Sequence, residues 1–177
     1  MVQIERLTPR DAETALPALA ELLKDAVDGG ASVSFLPPLP LEEAARFWRQ
    51  ALQAMAEGQR VVLVARLEGA VVGVVTLDLA RVPNGAHRAE VQKLLVHSRA
   101  RGRGIGERLM RAVEEAALEA GRTLLVLDTC RGYTAERLYR RLGWVEAGVI
   151  PNFALEPNGY CDTVIFYKQL AAPSPRA

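Results

Sequence analysis

The sequence predicts a single mixed α+β domain, and three observations support this prediction. Its 177 residues match the usual size of one domain. Half of the residues are apolar and 24% are charged, with a net charge of +1, which is typical of a globular protein. The spacing of apolar residues alternates along the chain between helical and strand periods. The predicted order is β-α-α-β-β-β-α-β-α-β-β, without an internal repeat or an interdomain linker.

The first half of the chain predicts a strand, two helices and a hairpin. Thr8-Pro9-Arg10-Asp11 is typical of a helix start, Gly29-Gly30 and Gly58 of helix ends, and Glu68-Gly69 of a tight turn. Glycine and proline are frequent between the two helices, which predicts a loop over 29–40. The predicted elements are strand 2–7, helix 12–27, helix 41–56, strand 60–67 and strand 70–79.

The second half predicts strands that alternate with helices. Pro83-Asn84-Gly85 predicts a turn, and Gly121 ends a helix whose apolar residues recur every three to four positions. Pro151, Pro157 and Gly159 predict a loop between the last two strands. The predicted elements are strand 87–97, helix 105–120, strand 123–128, helix 133–142, strands 144–150 and 162–170, and a disordered tail over 171–177.

Composition excludes several classes of protein. The balanced charge provides no basic field for nucleic acid, and no apolar run approaches the roughly 18 residues of a membrane span. The N-terminus lacks the apolar core of a signal peptide. Cys130 and Cys161 lack metal-binding spacing to each other and to His87 and His97. We therefore expect a cytoplasmic protein with reduced thiols, no metal, and no nucleic-acid or membrane partner.

The most informative motif is a glycine-rich turn that leads from strand 87–97 into a helix. A helix N-terminus presents free backbone N–H groups and partial positive charge, and glycine lets a phosphate approach the backbone. Glu107 and Leu109 stand where the dinucleotide fingerprint would need glycine, and the turn has no lysine for a P-loop. The pattern present is Arg-x-x-Gly-x-Gly over 101–106, which predicts a pyrophosphate site.

This pattern resembles motif A of the GCN5-related N-acetyltransferase (GNAT) superfamily. The resemblance implies acetyl-CoA as cosubstrate. It also implies a twisted, mostly antiparallel sheet of about seven strands with about four helices, in which a splayed parallel pair forms the CoA cleft. The backbone of strand 87–97 would then bind the pantetheine and the acetyl carbonyl. The implied cofactor-binding residues are Leu94, Leu95, Val96, Arg101, Gly102, Arg103, Gly104, Ile105 and Gly106.

A later segment strengthens this resemblance. Residues 135–144, AERLYRRLGW, are similar to the family segment in which a helix carries a tyrosine and ends at a glycine–aromatic pair. Ala135, Leu138, Tyr139 and Leu142 share one helical face, so Tyr139 points inward. The resemblance implies that Tyr139 donates a proton to the departing CoA thiolate. The alternative is that Tyr139 is only a core residue.

Five further segments resemble the tabtoxin-resistance group within this superfamily, which acetylates an amino group of a β-lactam-containing toxin. They are GGASVSF at 29–35, PNG at 83–85, RAEVQKL at 88–94, ARGRGIG at 100–106 and LDT at 127–129. This resemblance implies a small-molecule amine as acceptor, and the family resemblance makes a homodimer reasonable.

Acetyl transfer to an amine requires a base, because only the neutral amine is a nucleophile. An alkyl amine with a pKa of about 10.4 is only about 0.1% neutral near pH 7.4. Glu90 and Asp128 are the candidate bases, since a carboxylate in an apolar strand is unusual unless it is paired or functional. Lys93 or Arg88 could simply pair with Glu90, and Asp128 could cap the next helix. His87 is a third candidate, although its place beside a turn favours an exposed residue.

The acceptor is expected to contact the segment between the first two helices. In the family this segment covers the acceptor pocket, which implies substrate contacts for Ser32 and Phe35; ordinary loop chemistry is the alternative. Together with the predicted 151–161 loop, the segment favours an enclosed pocket and a small acceptor.

The predicted reaction is direct transfer in a ternary complex, without a covalent acetyl-enzyme. An acetyl-cysteine route through Cys130 would need a histidine to activate the thiol, and neither histidine is close in sequence. Two alternatives remain open: a protein acetyltransferase acting on lysine or an N-terminus, and a non-catalytic acyl-CoA-binding regulatory domain.

Overall fold

A computed structural model describes residues 1–170 as one seven-stranded sheet with four α-helices. The elements follow the predicted order, and the predicted mixed α+β fold is confirmed. None of the four helices is long and apolar enough to span a bilayer. The tail predicted over 171–177 lies outside the described residues. The elements are β1 (Val2–Arg6), α1 (Ala12–Asp28), α2 (Leu41–Ala56), β2 (Arg60–Leu67), β3 (Ala70–Leu79), β4 (Arg88–Val96), α3 (Ile105–Glu119), β5 (Leu124–Cys130), α4 (Thr134–Arg141), β6 (Val145–Glu156) and β7 (Gly159–Gln169).

The sheet is antiparallel except at its centre. Its strand order is β1-β2-β3-β4-β5-β7-β6, and only the β4–β5 pair is parallel. That pairing covers just Arg88–Glu90 against Leu124–Val126. Beyond Glu90 the two strands separate, which leaves the β5-facing edge of β4 without a strand partner. This separation is the splayed parallel pair that the family resemblance implies.

A β-bulge lies in β4 just past the point where the strands separate. Gln92 pairs with Thr76 and Leu95 with Val74, so β4 places two residues opposite the single Val75. The buried Thr76 hydroxyl donates a hydrogen bond of 3.0 Å to the Gln92 carbonyl. A bulge bends its strand and redirects a side chain. Here it places Lys93, with φ of 52°, in the left-handed region.

Two apolar cores cover the two faces of the sheet. Helices α1 and α2 pack on one face with alternate valines of β2 and β3, and α3 packs on the other with Tyr139 of α4. Gly73 of β3 allows α3 to approach closely, since a Cβ at this position would lie 3.1 Å from side-chain atoms of Ile105 and Leu109. The core on the α3 side thereby fixes the positions of α3 and α4, the two helices beside the β4–β5 gap.

Two expectations about the C-terminal region are wrong. The loop predicted over 151–161 is a continuation of the β6–β7 hairpin. Proline is tolerated because β6 is an edge strand, and residues 151–153 bulge outward opposite Asp162, whose carboxylate accepts a hydrogen bond from the Asn152 N–H at 3.0 Å. The hairpin turn is confined to 157–158.

The cysteines, predicted as separate reduced thiols, form a disulfide with their Cα atoms 5.9 Å apart. Cys130 ends β5 opposite Thr163 of β7, and Cys161 precedes Thr163 by two residues on the same side of the strand. The spacing of 31 residues gave no sign of this proximity, because it depends on the register of the longer hairpin.

Candidate active site

The gap between β4 and β5 opens into a cleft of about 760 Å³, here called the main cleft. Its walls are Leu94–Val96 of β4, the turn from Arg101 to Glu107, and α4. A second cavity of about 450 Å³, here called the side cavity, lies against β4, the end of β5 and the 31–34 segment. Leu94, Leu95 and Tyr133 border both spaces, so the two adjoin.

The turn at the start of α3 is shaped for an anion. Gly102 and Gly104 have φ of 74° and 71°, and a Cβ at either position would meet no atom within 4 Å. Space therefore lies beside the free N–H groups at the helix N-terminus, as a bound phosphate requires. The Arg101 side chain donates a hydrogen bond of 3.2 Å to the Val96 carbonyl, which ties the turn to β4.

Arginine side chains border the main cleft on two sides. Arg101 lies in the turn, and Arg137 and Arg141 lie on α4. The sequence did not single out the last two. Arg103 was predicted from the sequence to bind the cofactor, but its side chain is not among those that line the main cleft. Its backbone still belongs to the predicted turn.

The unpaired edge of β4 suits an amide-containing chain. Leu95 and Val96 pair with β3 on one side, while β5 pairs with β4 only as far as Glu90. An extended ligand can add to such an edge through backbone hydrogen bonds. The residues present therefore fit a pantetheine arm against Leu94–Val96 and a pyrophosphate at the glycine-rich turn.

The structure brings together the three predicted catalytic side chains. Glu90, Asp128 and Tyr139 come from β4, β5 and α4, and all three border the side cavity. Ser32 borders it too. His87 is exposed and borders neither space, which agrees with its prediction as a surface residue.

The local environment shifts the pKa of two of these groups. Burial against the cavity wall raises the pKa of Asp128, and the Lys93 charge opposes this shift. Burial, followed by the Asp128 charge, raises the pKa of Tyr139. The phenol, which is 6% exposed, therefore stays protonated across the working pH range. Its ring lies 6.1 Å from that of Trp144 and 6.0 Å from that of Phe166.

Phe35 does not border the side cavity. It borders a smaller cavity of about 240 Å³ and packs edge-to-face on Phe47, with ring centroids 5.6 Å apart. Phe47 itself borders the side cavity. Phe35 therefore packs against Phe47, and Phe47 is the residue that borders the side cavity.

Lys93 is a site residue that was not predicted from the sequence, where it was expected only as a possible ion-pair partner of Glu90. Its ammonium group donates a hydrogen bond of 3.2 Å to the Ser34 hydroxyl and lies 5.1 Å from the centroid of the Phe47 ring. One signal could have found it: the chain has only three lysines, and this one interrupts an apolar strand.

The disulfide lies at the wall of the side cavity. Cys130 borders the cavity, but its sulfur is bonded to Cys161 and offers no thiolate for an acetyl-cysteine intermediate. The Glu156 carboxylate lies 3.8 Å from this sulfur and accepts a hydrogen bond from the Tyr133 hydroxyl. Burial, then Glu156, raises the pKa of Tyr133 to about 12. The sulfurs and Glu156 lie close enough to share a metal ion, but metal binding needs thiolates, which the disulfide removes.

A glycine-rich helix start beside an open strand edge, adjoining a cavity bordered by two carboxylates and a buried tyrosine, fits an acyl-CoA-dependent transferase. The chain belongs to the acetyltransferase (GNAT) family, whose model matches residues 20–144. It is thus an N-acetyltransferase that depends on acetyl-CoA.

Related proteins agree with this assignment. The IAA acetyltransferase of Azospirillum brasilense is 34% identical over 108 residues, which are 60% of this chain and 68% of the relative. A probable glucosamine 6-phosphate N-acetyltransferase 2 of Oryza sativa subsp. japonica is 32% identical over 84% of both chains. The structure of yncA from Salmonella typhimurium with its cofactor acetyl-CoA shares the fold with a TM-score of 0.78 at 20% identity, over 99% of both chains.

Proposed function

We propose that the protein transfers the acetyl group of acetyl-CoA directly to the primary amine of a small molecule, within a ternary complex. The observation that carries this proposal is that Glu90, Asp128 and Tyr139 all border the side cavity, which adjoins the main cleft. The three residues are separated in sequence, so this convergence is a property of the fold.

The cofactor would be held mainly by backbone. The N–H groups of the turn 101–106 face the pyrophosphate position, Leu94–Val96 offer an open strand edge, and Arg137 and Arg141 add positive charge. Acetyl-CoA supplies an activated acyl group as a thioester. A backbone N–H of β4 at the gap would polarise the acetyl carbonyl where negative charge develops.

Asp128 is the proposed general base, directly or through a water molecule. Its raised pKa brings it closer to that of the ammonium ion, which favours proton transfer. Glu90 borders the same cavity and adds negative charge that attracts a cationic amine. Deprotonation gives the neutral amine that attacks the acetyl carbon.

Tyr139 is the proposed acid. Its raised pKa keeps the hydroxyl protonated, so it can donate to the sulfur as the C–S bond breaks. The Tyr139 ring is buried beside those of Trp144 and Phe166, which would limit the access of water to this step. The disulfide at Cys130 supports direct transfer over an acetyl-cysteine route.

A small acceptor is supported by the covering of the side cavity. The 31–34 segment and Phe47 border one side, and Phe153 of β6 borders another. A volume of about 450 Å³ suits a small ligand. A toxin or antibiotic of the tabtoxinine-β-lactam type is the proposed example, and this rests on the five sequence segments given above.

A homodimer and a cytoplasmic location complete the proposal. The edge strand β6 exposes Val145, Ile150, Phe153 and Leu155, an apolar surface that a second copy would cover.

The test is thiol release from acetyl-CoA across amino acids, polyamines, aminoglycosides and a tabtoxinine-like β-lactam, with Tyr139→Phe in parallel. Turnover with one class of amine, reduced about a hundredfold in the variant, supports the proposal. Turnover only with peptides would replace it with protein acetylation. Binding of acetyl-CoA without any turnover would indicate the regulatory domain.

A further inference from the structure

Two strained residues meet in the side cavity. Ser34 has φ of 76° and Lys93 has φ of 52°, a conformation that non-glycine residues rarely adopt. The two come from distant parts of the chain, and their side chains hydrogen-bond at 3.2 Å. Strained backbone persists where the surroundings fix it, often at binding sites. The bulge in β4 thus places an ammonium group at a cavity that the carboxylates of Glu90 and Asp128 also border.

The Lys93 ammonium group is only partly satisfied. It has three donors; Ser34 takes one, and the Phe47 ring lies 5.1 Å away. No carboxylate of the described residues lies within ion-pairing distance of it, although Glu90 and Asp128 border the same cavity. Burial, followed by the Arg60 charge, lowers the pKa of Lys93, and the Asp128 and Glu90 charges oppose this shift. A positive group held in this way would gain most from an anion that enters the cavity.

We infer that Lys93 and Ser34 bind an anionic group on the acceptor, so that the substrate carries both an amine and a carboxylate or phosphate. This inference rests on the proposed function. The Lys93 ammonium and the Ser34 hydroxyl hold the anion, while Asp128 and Glu90 face the amine. An acceptor with both charges is thereby oriented with its nitrogen towards the open edge of β4. Lys93 is then a specificity-determining residue.

The experiment compares matched acceptors that differ only in the anion. The carboxylate arm pairs L-amino acids with their carboxamides, and the phosphate arm pairs glucosamine 6-phosphate with glucosamine. The wild-type protein is expected to prefer the anionic member of one arm by about tenfold or more in kcat/KM, as a charge-assisted hydrogen bond allows. The arm with the preference identifies the anion.

Lys93→Met is expected to remove this preference by raising KM for the anionic member far more than for its neutral counterpart, with acetyl-CoA affinity retained. Lys93→Arg should keep part of the preference. Lys24→Met is the matched control, because Lys24 lies on α1 and borders neither the main cleft nor the side cavity. A wild-type enzyme without charge preference overturns the inference. So does an equal loss for both members in Lys93→Met, especially in kcat, which would identify a catalytic or structural lysine.

Failure of the proposed function has a different signature, namely no turnover with any acceptor. Calorimetric titration of the same acceptors into CoA-loaded protein then decides the inference. Binding of anionic members that Lys93→Met weakens about tenfold supports it. Absence of such binding, or binding that Lys93→Met does not change, overturns it.

Discussion

The main cleft and the side cavity are built in different ways. The cleft relies on backbone: free N–H groups at the start of α3, two glycines of positive φ, and an open edge of β4. The cavity relies on side chains from β4, β5, α4 and the 31–34 segment. Backbone recognition suits a ligand that never changes, whereas side chains can be replaced without altering the fold. This difference lets one fold keep its cofactor and change its acceptor.

The largest expected effect concerns the side cavity. Asp128→Asn should lower kcat by about a hundredfold to ten-thousandfold, because the amide cannot accept the proton, while KM for acetyl-CoA stays constant. Glu90→Gln should have a smaller effect, mainly on acceptor KM. Steady-state kinetics with varied acetyl-CoA and acceptor would separate these. A larger kcat loss in Glu90→Gln would reverse the two roles.

Loss of the disulfide tests whether the side cavity can be perturbed without a change in the main cleft. Reduction, or Cys161→Ser, should lower the free energy of unfolding by about 2–4 kcal/mol, because the bond closes a loop of 31 residues. Chemical denaturation with and without reductant measures this. We expect acceptor KM to rise and acetyl-CoA KM to stay unchanged. Two titratable thiols in native protein purified in air would contradict the bond.

A smaller effect is expected in the main cleft. Gly104→Ala should raise KM for acetyl-CoA about tenfold, because a Cβ would occupy the open space beside the helix N-terminus. Gly121→Ala is a matched control for backbone strain, with the same φ of 71° and equally open surroundings outside the cleft. Equal changes in KM for the two variants would show that strain, not the cleft, is responsible.

The smallest effect concerns stability against pH. Asp128 has a raised pKa in the folded protein, so its contribution to stability is present below the unfolded pKa and is lost as pH rises through the folded pKa. Asp128→Asn should therefore be more stable than wild type at pH 7, and the difference should vanish in acid. Urea unfolding at both pH values measures this. A less stable variant at pH 7 would show that the carboxylate is stabilised by its partners.

Sequence reasoning succeeded where a feature is local. The turn 101–106 and the helix that follows are adjacent in the chain, and the strand and helix periods could be read directly. Glu90 and Asp128 could be proposed as bases because each lies on a predictable apolar strand, and Tyr139 as an acid because its segment resembles one of the family. The orientation of Lys93 depends on a bulge, which is a difference in pairing between two strands. The Cys130–Cys161 contact depends on a hairpin that continues past Pro151. Neither has a signature within a single segment.

The open edge of β4 has a consequence beyond catalysis. Unpaired strand edges are sites where other chains can add, and proteins usually protect them. Here the exposed stretch lies in the middle of the sheet and is short, so a narrow ligand fits while a foreign strand is kept out. Acetyl-CoA bound along this edge, as proposed, would pair with β4 in place of a strand as well as supply the acyl group. Its concentration in the cell would then set how strongly the bound ligand stabilises the folded protein.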